Sequence, residues 1–373
     1  MPYDEVTLVT GYPAFRGRKM VDHLLKVRPR SLVYVVVHEK LRREAELHQA
    51  GLSHSERERL VVMEGDAAAM DLGLSGAEYR ELGSRVNRIH HLAQVTYPGV
   101  SRAMAMEVNL GATREILELG RSCSALQSIV IHSSASVAGD RSGVVYEHEL
   151  NVGQSFRSPV EQTLARAERI ARAKMGELPL CVVRPTHIVG DSRTGEVDRF
   201  DGPYMMMRVI LSTPSEVPIP LPARGDARLN LVPIDFVVAA AEHVSRLPAA
   251  VGRTLHLADP QPLDVREVFE LVAAAAGRKL STRFIPSPIA QAVLGVPGLS
   301  HISGSQRAMI HLLATRVRYD SSHADELLSG SVRCPPLKSY LERMVEFVRL
   351  RLESSRKGEP EWLSEDETSL GPT

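Results

Sequence analysis

Short, nearly continuous apolar runs alternate with longer amphipathic stretches through the first half of the chain. Val6–Thr10, Ser31–Val37, Leu60–Met63, Arg88–Leu92, Ser128–His132 and Leu180–Arg184 are rich in Val, Ile and Leu and read as strands. Between them, Gly17–Val27, Glu39–Gln49, Ser53–Arg59, Met104–Leu119 and Pro159–Lys174 repeat apolar residues every three or four positions and read as helices. A strand without a polar face is covered on both sides. Such strands, separated by helices, predict βαβ units and a parallel sheet with helices on each face.

The pattern breaks after Arg184-Pro185. Residues 186–228 are rich in Pro, Gly, Asp and Met, a strand and helix return near 229–258, and Asp264–Ala276 and Leu337–Leu352 are amphipathic helices. The expected division is a first domain over 1–185 that regains 229–258, and a smaller interleaved C-terminal lobe formed by 186–228 and 259–352. Met205-Met206-Met207 in that lobe suits an acyl-chain wall or plain core packing. Residues 353–373 are acidic, lack periodicity and hold the only tryptophan, Trp362, so disorder is expected there, with a Trp-Leu docking peptide as the functional alternative.

Composition narrows the function classes. The 373 residues carry 45 basic and 45 acidic side chains, which leaves no global field for nucleic acid or an anionic membrane. Three scattered cysteines, Cys123, Cys181 and Cys334, argue against a disulfide framework and a zinc site. No apolar run is long enough to cross a membrane and no leader pattern opens the chain. A soluble, cytoplasmic protein is expected.

Candidate chemistry starts at Thr10-Gly11-Tyr12-Pro13-Ala14-Phe15-Arg16-Gly17, which follows the first strand and opens the first helix. Backbone N–H groups and the positive helix end at such a turn face a pyrophosphate, and glycine lets the backbone come close. Ala14 replaces the middle glycine, and its methyl is expected to push against the phosphates. The second strand ends Val37-His38-Glu39-Lys40 without the aspartate usual for a ribose 2′-hydroxyl. His38 and Lys40, with Arg16 and Arg18, suit a 2′-phosphate instead.

Other segments carry a resemblance. Thr10–Gly17 resembles T-G-x-x-G-F-x-G, and Gly65-Asp66 with Asp71-Leu72-Gly73-Leu74-Ser75 resembles G-D-(x)n-L-G-L-S. His90-His91-Leu92-Ala93-Gln94 resembles a histidine-alanine-alanine motif, with Gln94 for the last alanine, and Asn109-Leu110-Gly111-Ala112-Thr113 resembles N-x-x-G-T. His132-Ser133-Ser134, Arg184-Pro185-Thr186 through Gly195, and Val232-Pro233-Ile234-Asp235 continue the series in order. The chain is similar to the extended short-chain dehydrogenase/reductases, within them to the thioester-reductase and fatty acyl-CoA reductase branch. The resemblance implies a Rossmann-type doubly wound sheet, an NADP or NAD cofactor and an acyl or other lipid-like ligand. It implies cofactor contacts at Thr10, Gly11, Tyr12, Ala14, Phe15, Arg16, Gly17, His38, Asp66, Ala93, Asn109 and Pro185, and a catalytic hydroxyl at Ser134.

The same resemblance exposes a gap. Glu161-Gln162 and Ala167-Glu168 fix the register of the next helix, where the branch carries Tyr-x-x-x-Lys, and this chain has Val160 and Leu164. The tyrosine passes the proton, and the lysine tunes it and grips the ribose; aliphatic side chains do neither. None of the nine tyrosines has a lysine four residues on. The expectation is a degenerate reductase that binds nucleotide or acyl ligand, with cofactor binding weakened or lost. The alternatives are an active reductase with a non-standard proton donor, for which Tyr146, Tyr204 and His187 are candidates, and a scaffold acting through the Trp362 tail. The sequence leaves the oligomeric state open, a homodimer being one option, and no metal is expected.

Overall fold

Seven parallel strands form the main sheet of the computed structural model, which describes residues 3–97, 99–214, 219–222, 227–285 and 316–356. In chain order they are β1 (Glu5–Thr10), β2 (Ser31–Val37), β3 (Leu60–Glu64), β4 (Arg88–His91), β5 (Ser128–His132), β6 (Leu180–Pro185) and β7 (Thr254–Leu257). Their spatial order is β7-β6-β5-β4-β1-β2-β3. Each apolar run predicted from sequence is one of these strands, and every residue of β2, β5, β6 and β7 is buried. The order runs outward from β1 in both directions, so the connections reverse between β1 and β4.

The helices that matter for the site are α1 (Phe15–Val27), α2 (Arg42–Gly51), α3 (Gly76–Arg85), α4 (Ala112–Ser122), α5 (Pro159–Arg172) and α6 (Ile234–Val244). One face of the sheet packs Val6, Leu8, Leu32, Tyr34, Ile89, Ile129, Ile131 and Val182 against Leu82, Ile116, Leu117 and Leu119 of α3 and α4. Starts are specified by caps: Ser75 forms a capping box with Glu78, and Ser158 accepts the Glu161 N–H with Pro159 in the first turn. The predicted helix over Met104–Leu119 is instead Arg102–Met106, a wide π turn at Glu107–Gly111, and α4. Asn109 sits in that turn.

Two compact units are present. The first comprises 1–188, 234–260 and 317–334, and holds the main sheet. Sequence reading assigned 317–334 to the lobe. Here Val317–Tyr319 pairs in parallel with Gly143–Val145, and Glu147 accepts backbone N–H groups of His256, His323 and Ala324 at 2.8, 2.7 and 3.2 Å. A buried carboxylate with three such donors fixes that segment to the sheet unit.

The second unit comprises 189–233, 261–316 and 335–373. Its core joins Tyr204, Met206, Met207 and Ile210 to Val265, Val268, Phe269 and Val272 and to Leu341, Met344, Val345 and Val348. Two of the three methionines are therefore interior packing of this unit. The Trp362 segment lies outside the described residues. Among the described residues no helix is long and apolar enough to cross a membrane, and no group of His, Cys, Asp and Glu is arranged to hold a metal.

Candidate functional site

At the C-terminal end of β1 the chain turns at Gly11, whose φ is +80°. A Cβ there would lie 2.6 Å from the carbonyl carbon and oxygen of Leu92, and one on Gly17 would lie 2.5 Å from the Gly11 oxygen. Both glycines are required by close approach of backbone to backbone. Thr10 completes the junction: its Oγ1 accepts the N–H groups of Leu92 and Ala93 at 3.1 and 3.2 Å and donates to His91 Nδ1 at 2.9 Å. His91 Nε2 then faces Thr113 Oγ1 at 3.4 Å, which fixes the Nε2–H tautomer. Burial holds the His91 imidazole neutral, its pKa lowered to about 3.

Tyr12 and Phe15 turn inward. The Tyr12 hydroxyl donates to His48 Nδ1 at 2.8 Å, and His48 Nε2 donates to Asp22 Oδ1 at 2.9 Å, so a Tyr-His-Asp chain ties the turn to α2 and α1. The Tyr12 side chain therefore anchors the loop from behind, leaving its backbone to face a ligand. Ala14 is exposed at φ −54° and ψ 155°, an ordinary conformation for any residue. It gives α1 no side-chain cap, and the first turn of α1 has no acidic residue. Ala14 thus supplies α1 with none of the side-chain capping that Ser75 and Ser158 give α3 and α5.

Further round the site, His38 Nδ1 accepts the Lys40 N–H at 3.2 Å, and Asp66 Oδ1 accepts the Ala68 N–H at 2.9 Å. Pro185 is buried at the end of β6. Asn109 is fully enclosed: Oδ1 accepts the Val95 N–H at 2.7 Å, while Nδ2 donates to Val95 O at 3.1 Å and Thr163 Oγ1 at 3.0 Å. It staples the loop after β4 to α5 rather than presenting a free amide. Gln94, in that loop, has a buried Oε1 with no hydrogen-bond partner.

Ser133 and Ser134 diverge. Ser133 Oγ donates inward to Glu168 Oε2 at 2.7 Å, and Glu168 receives the Arg184 guanidinium, with Nε 2.9 Å from Oε2. Arg184 and Glu168 are 0% and 1% exposed, and Arg184 also donates to the carbonyls of Glu147 and Glu149. This enclosed ion network was not anticipated from sequence, although Glu168 and Arg184 stood in two of the recognised motifs. Ser134 is half-exposed, caps a short 3-10 turn and accepts the Ser136 N–H at 3.1 Å.

Val160 and Leu164 are 5% and 1% exposed. They pack with Val95, Ala105, Val137, Leu150 and Ala165 in an apolar cluster to which Tyr97, Val100, Val108 and Phe156 add partly buried surface. Of the tyrosine substitutes considered from sequence, Tyr204 belongs to the core of the second unit, where its hydroxyl accepts the Gly190 N–H at 2.7 Å. Tyr146 is exposed and stacks on His148. Tyr97 is the tyrosine that touches the Val160–Leu164 cluster, and sequence reasoning missed it because no lysine follows at the catalytic spacing.

Strand order reverses beside β1, and the turn leaving β1 there is the glycine-lined one. That layout is the Rossmann-type doubly wound arrangement of the dinucleotide-binding α/β proteins. The NAD-binding family described as Male sterility protein matches residues 9–241, more than half of the sequence, and the chain belongs to it. One linear gramicidin synthase polypeptide of Brevibacillus parabrevis is 25% identical over 287 residues, covering 72% of this chain and 5% of that protein. Fatty acyl-CoA reductase wat of Drosophila melanogaster is 23% identical over 277 residues, covering 64% of this chain and 53% of that protein. Among solved structures, the terminal R domain from the myxalamid PKS-NRPS biosynthetic pathway aligns with a TM-score of 0.79 at 23% identity, over 96% of this chain and 92% of that one. The chain thus spans about half, or far less, of the length of these curated relatives.

The residues present fit a dinucleotide. Gly11 and Gly17 keep the turn free of side chains, Ala14 puts no capping side chain over the start of α1, and its first turn carries no acidic residue to oppose a phosphate.

Proposed function

We propose that this protein is a catalytically silent member of the acyl-thioester and fatty acyl reductase-like family, which binds NADP or NAD, or an acyl-type ligand, and serves as a binding or regulatory protein. The observation that carries the reading is the burial of Val160 and Leu164 in a cluster of aliphatic and aromatic side chains. A proton donor and the cation that tunes it work as a pair, and loss of members acting together removes most of the specific rate. A bound dihydronicotinamide would supply hydride, but Ser134 alone offers a hydrogen bond to a carbonyl and no tuned acid. NADP is favoured over NAD because the second strand is followed by His38 and Lys40 with no aspartate at the adenosine ribose position.

The reading is tested on purified protein by titrating NADPH and NADH, then assaying reduction of long-chain acyl-CoA and aldehyde. Saturable cofactor binding without turnover is expected. NADPH-dependent turnover abolished by Ser134→Ala would sink the idea.

One observation favours a second reading, an active reductase with a displaced acid. Tyr97 packs against the apolar cluster that contains Val160, which makes its phenol the candidate for a displaced proton donor. Turnover that survives in the wild type and falls by about 10²-fold or more in Tyr97→Phe supports this second reading over the first.

A further inference from the structure

Arg169 and Arg172 stand three residues apart near the end of α5, a spacing that puts both side chains on one face of the helix. The loop 146–152 runs beside that face, and together they form an open groove of about 650 Å³. Unlike the cluster around Val160, this surface is within reach of a ligand. His148, Asn151, Val152 and Arg169 are exposed, and Arg172 keeps 26% of its side chain accessible. Arg172 lies twelve residues along α5 from Val160, roughly 18 Å at helical rise. No residue of the turn after β1 lines the groove, and neither does Ser134.

The groove carries more positive charge than the acids around it neutralise. Glu149, the acid of the wall, is taken by Arg141 at 2.7 Å and by the Tyr146 N–H at 2.9 Å. Arg169 meets a neutral partner: its Nη2 donates to Asn151 Oδ1, which leaves Asn151 Nδ2 as a further donor. Arg172 Nη2 donates to the His148 carbonyl at 2.8 Å, while its Nη1 lies 3.7 Å from Glu168 Oε1, too far for a hydrogen bond. Glu168 already receives Arg184, with Nε 2.9 Å from Oε2, so one carboxylate is shared between two guanidiniums. An anion in the groove would meet two arginines that no acid fully satisfies.

Guanidinium groups suit carboxylate and phosphate alike, and charge decides between them. A carboxylate brings one negative charge and two oxygens. A phosphate monoester brings about 1.5 to 2 negative charges at pH 7 and three terminal oxygens, which matches two arginines with His148 and Asn151 beside them. The C-terminal dipole of α5 opposes an anion, but it is screened by salt and is weaker than a charge-assisted hydrogen bond. The volume falls in the range of small-molecule sites, roughly 300–1,000 Å³, and Leu150, Val152 and Ala173 offer apolar surface to an organic group. We propose that this groove is a ligand site for a small phosphate monoester, its phosphoryl group held between Arg169 and Arg172 with His148 and Asn151 donating. Such a site works whether or not a dinucleotide binds at the turn after β1.

The test is calorimetric titration of the full chain with phenyl phosphate, phenylacetate and a phosphoserine heptapeptide, in wild type, Arg169→Gln and Arg172→Gln. Phenyl phosphate is expected to bind saturably at one site and more tightly than phenylacetate. Each variant is expected to weaken it about tenfold or more, the equivalent of one charge-assisted hydrogen bond. Arg169 is exposed and pairs with a neutral amide, so Arg169→Gln is expected to keep the wild-type melting temperature and to decide the matter even where Arg172→Gln does not fold. Unchanged phenyl phosphate affinity in Arg169→Gln overturns the proposal and puts the phosphate elsewhere, the turn after β1 included. Phenylacetate bound as tightly as phenyl phosphate overturns the phosphate assignment, and the heptapeptide bound more tightly than phenyl phosphate replaces the small ligand by a phosphorylated chain. A wild type that binds no phenyl phosphate refutes the site.

Discussion

Replacing Leu164 by lysine asks whether a position expected to line a catalytic cleft has become interior. Leu164 is 1% exposed and surrounded by Val95, Ala105, Val137, Leu150, Val160 and Ala165. Leu164→Ala removes three carbons from that packing and is expected to cost about 2–5 kcal/mol, the range for buried leucine in which transfer energy and a residual cavity add. Leu164→Lys fills the space but brings an ammonium among aliphatic side chains, with Glu168 one turn along α5 already engaged by Ser133 and Arg184, and an uncompensated buried charge costs on the order of several kcal/mol. The order of the two variants is the diagnostic. In an interior site lysine costs as much as alanine or more, whereas in an open cleft lysine reaches water and costs less. Urea unfolding followed by far-UV circular dichroism measures both. pH adds an independent arm: burial lowers the lysine pKa below the unfolded value near 10.4, so its deficit shrinks as pH rises from 7 toward 10 while the alanine deficit stays level. A lysine variant as stable as wild type at pH 7, or one with no pH dependence, refutes the reasoning.

Three further outcomes are expected. His90, His91 and His132 are fully buried on β4 and β5, and burial lowers the His90 and His91 pKa values to about 4 and about 3, with His132 also well below normal. The unfolded chain takes up these protons near pH 6.5 and the native fold does not, so stability is complete above pH 6.5 and falls toward pH 4. His90 alone accounts for on the order of 3 kcal/mol by pH 4, and a melting temperature constant from pH 7.5 to 5 contradicts this. Glu168→Gln leaves Arg184 charged and enclosed and is expected to cost about 3–5 kcal/mol in urea unfolding, with Glu168→Leu/Arg184→Met recovering much of it; equal single and double variants would disprove the pairing. Gly11→Ala forces a Cβ onto Leu92 at positive φ and is expected to cost more than about 1 kcal/mol and to abolish cofactor binding, whereas exposed Ala14→Gly is expected to change stability by less than about 1 kcal/mol; both are read by melting and titration.

The sheet was legible because parallel strands buried on both faces leave no polar alternation, and Leu32–Val37 of β2 and Leu180–Val183 of β6 announce themselves as unbroken apolar runs. The glycines of the turn after β1 were legible for a related reason, since a close backbone approach admits one residue type. What sequence hid was long-range satisfaction. Glu147 is enclosed by N–H groups of His256 and of residues 323 and 324, more than a hundred positions away, and no local pattern marks such a carboxylate. The wide turn at Glu107–Gly111 was hidden too, because its apolar period reads as continuous helix and only the bonds of Asn109 to Val95 and Thr163 distinguish it.

Val160 and Leu164 stand between these cases. Glu161-Gln162 and Ala167-Glu168 gave their register, and Glu168 proves to be pinned by Arg184 and Ser133, so α5 cannot slip to present another residue. Sequence could say only that two functional groups were missing. The structure adds that their places are filled, by side chains that pack with Val95, Val137 and Leu150. Two aliphatic residues one turn apart, both enclosed, bind α5 to its neighbours by packing.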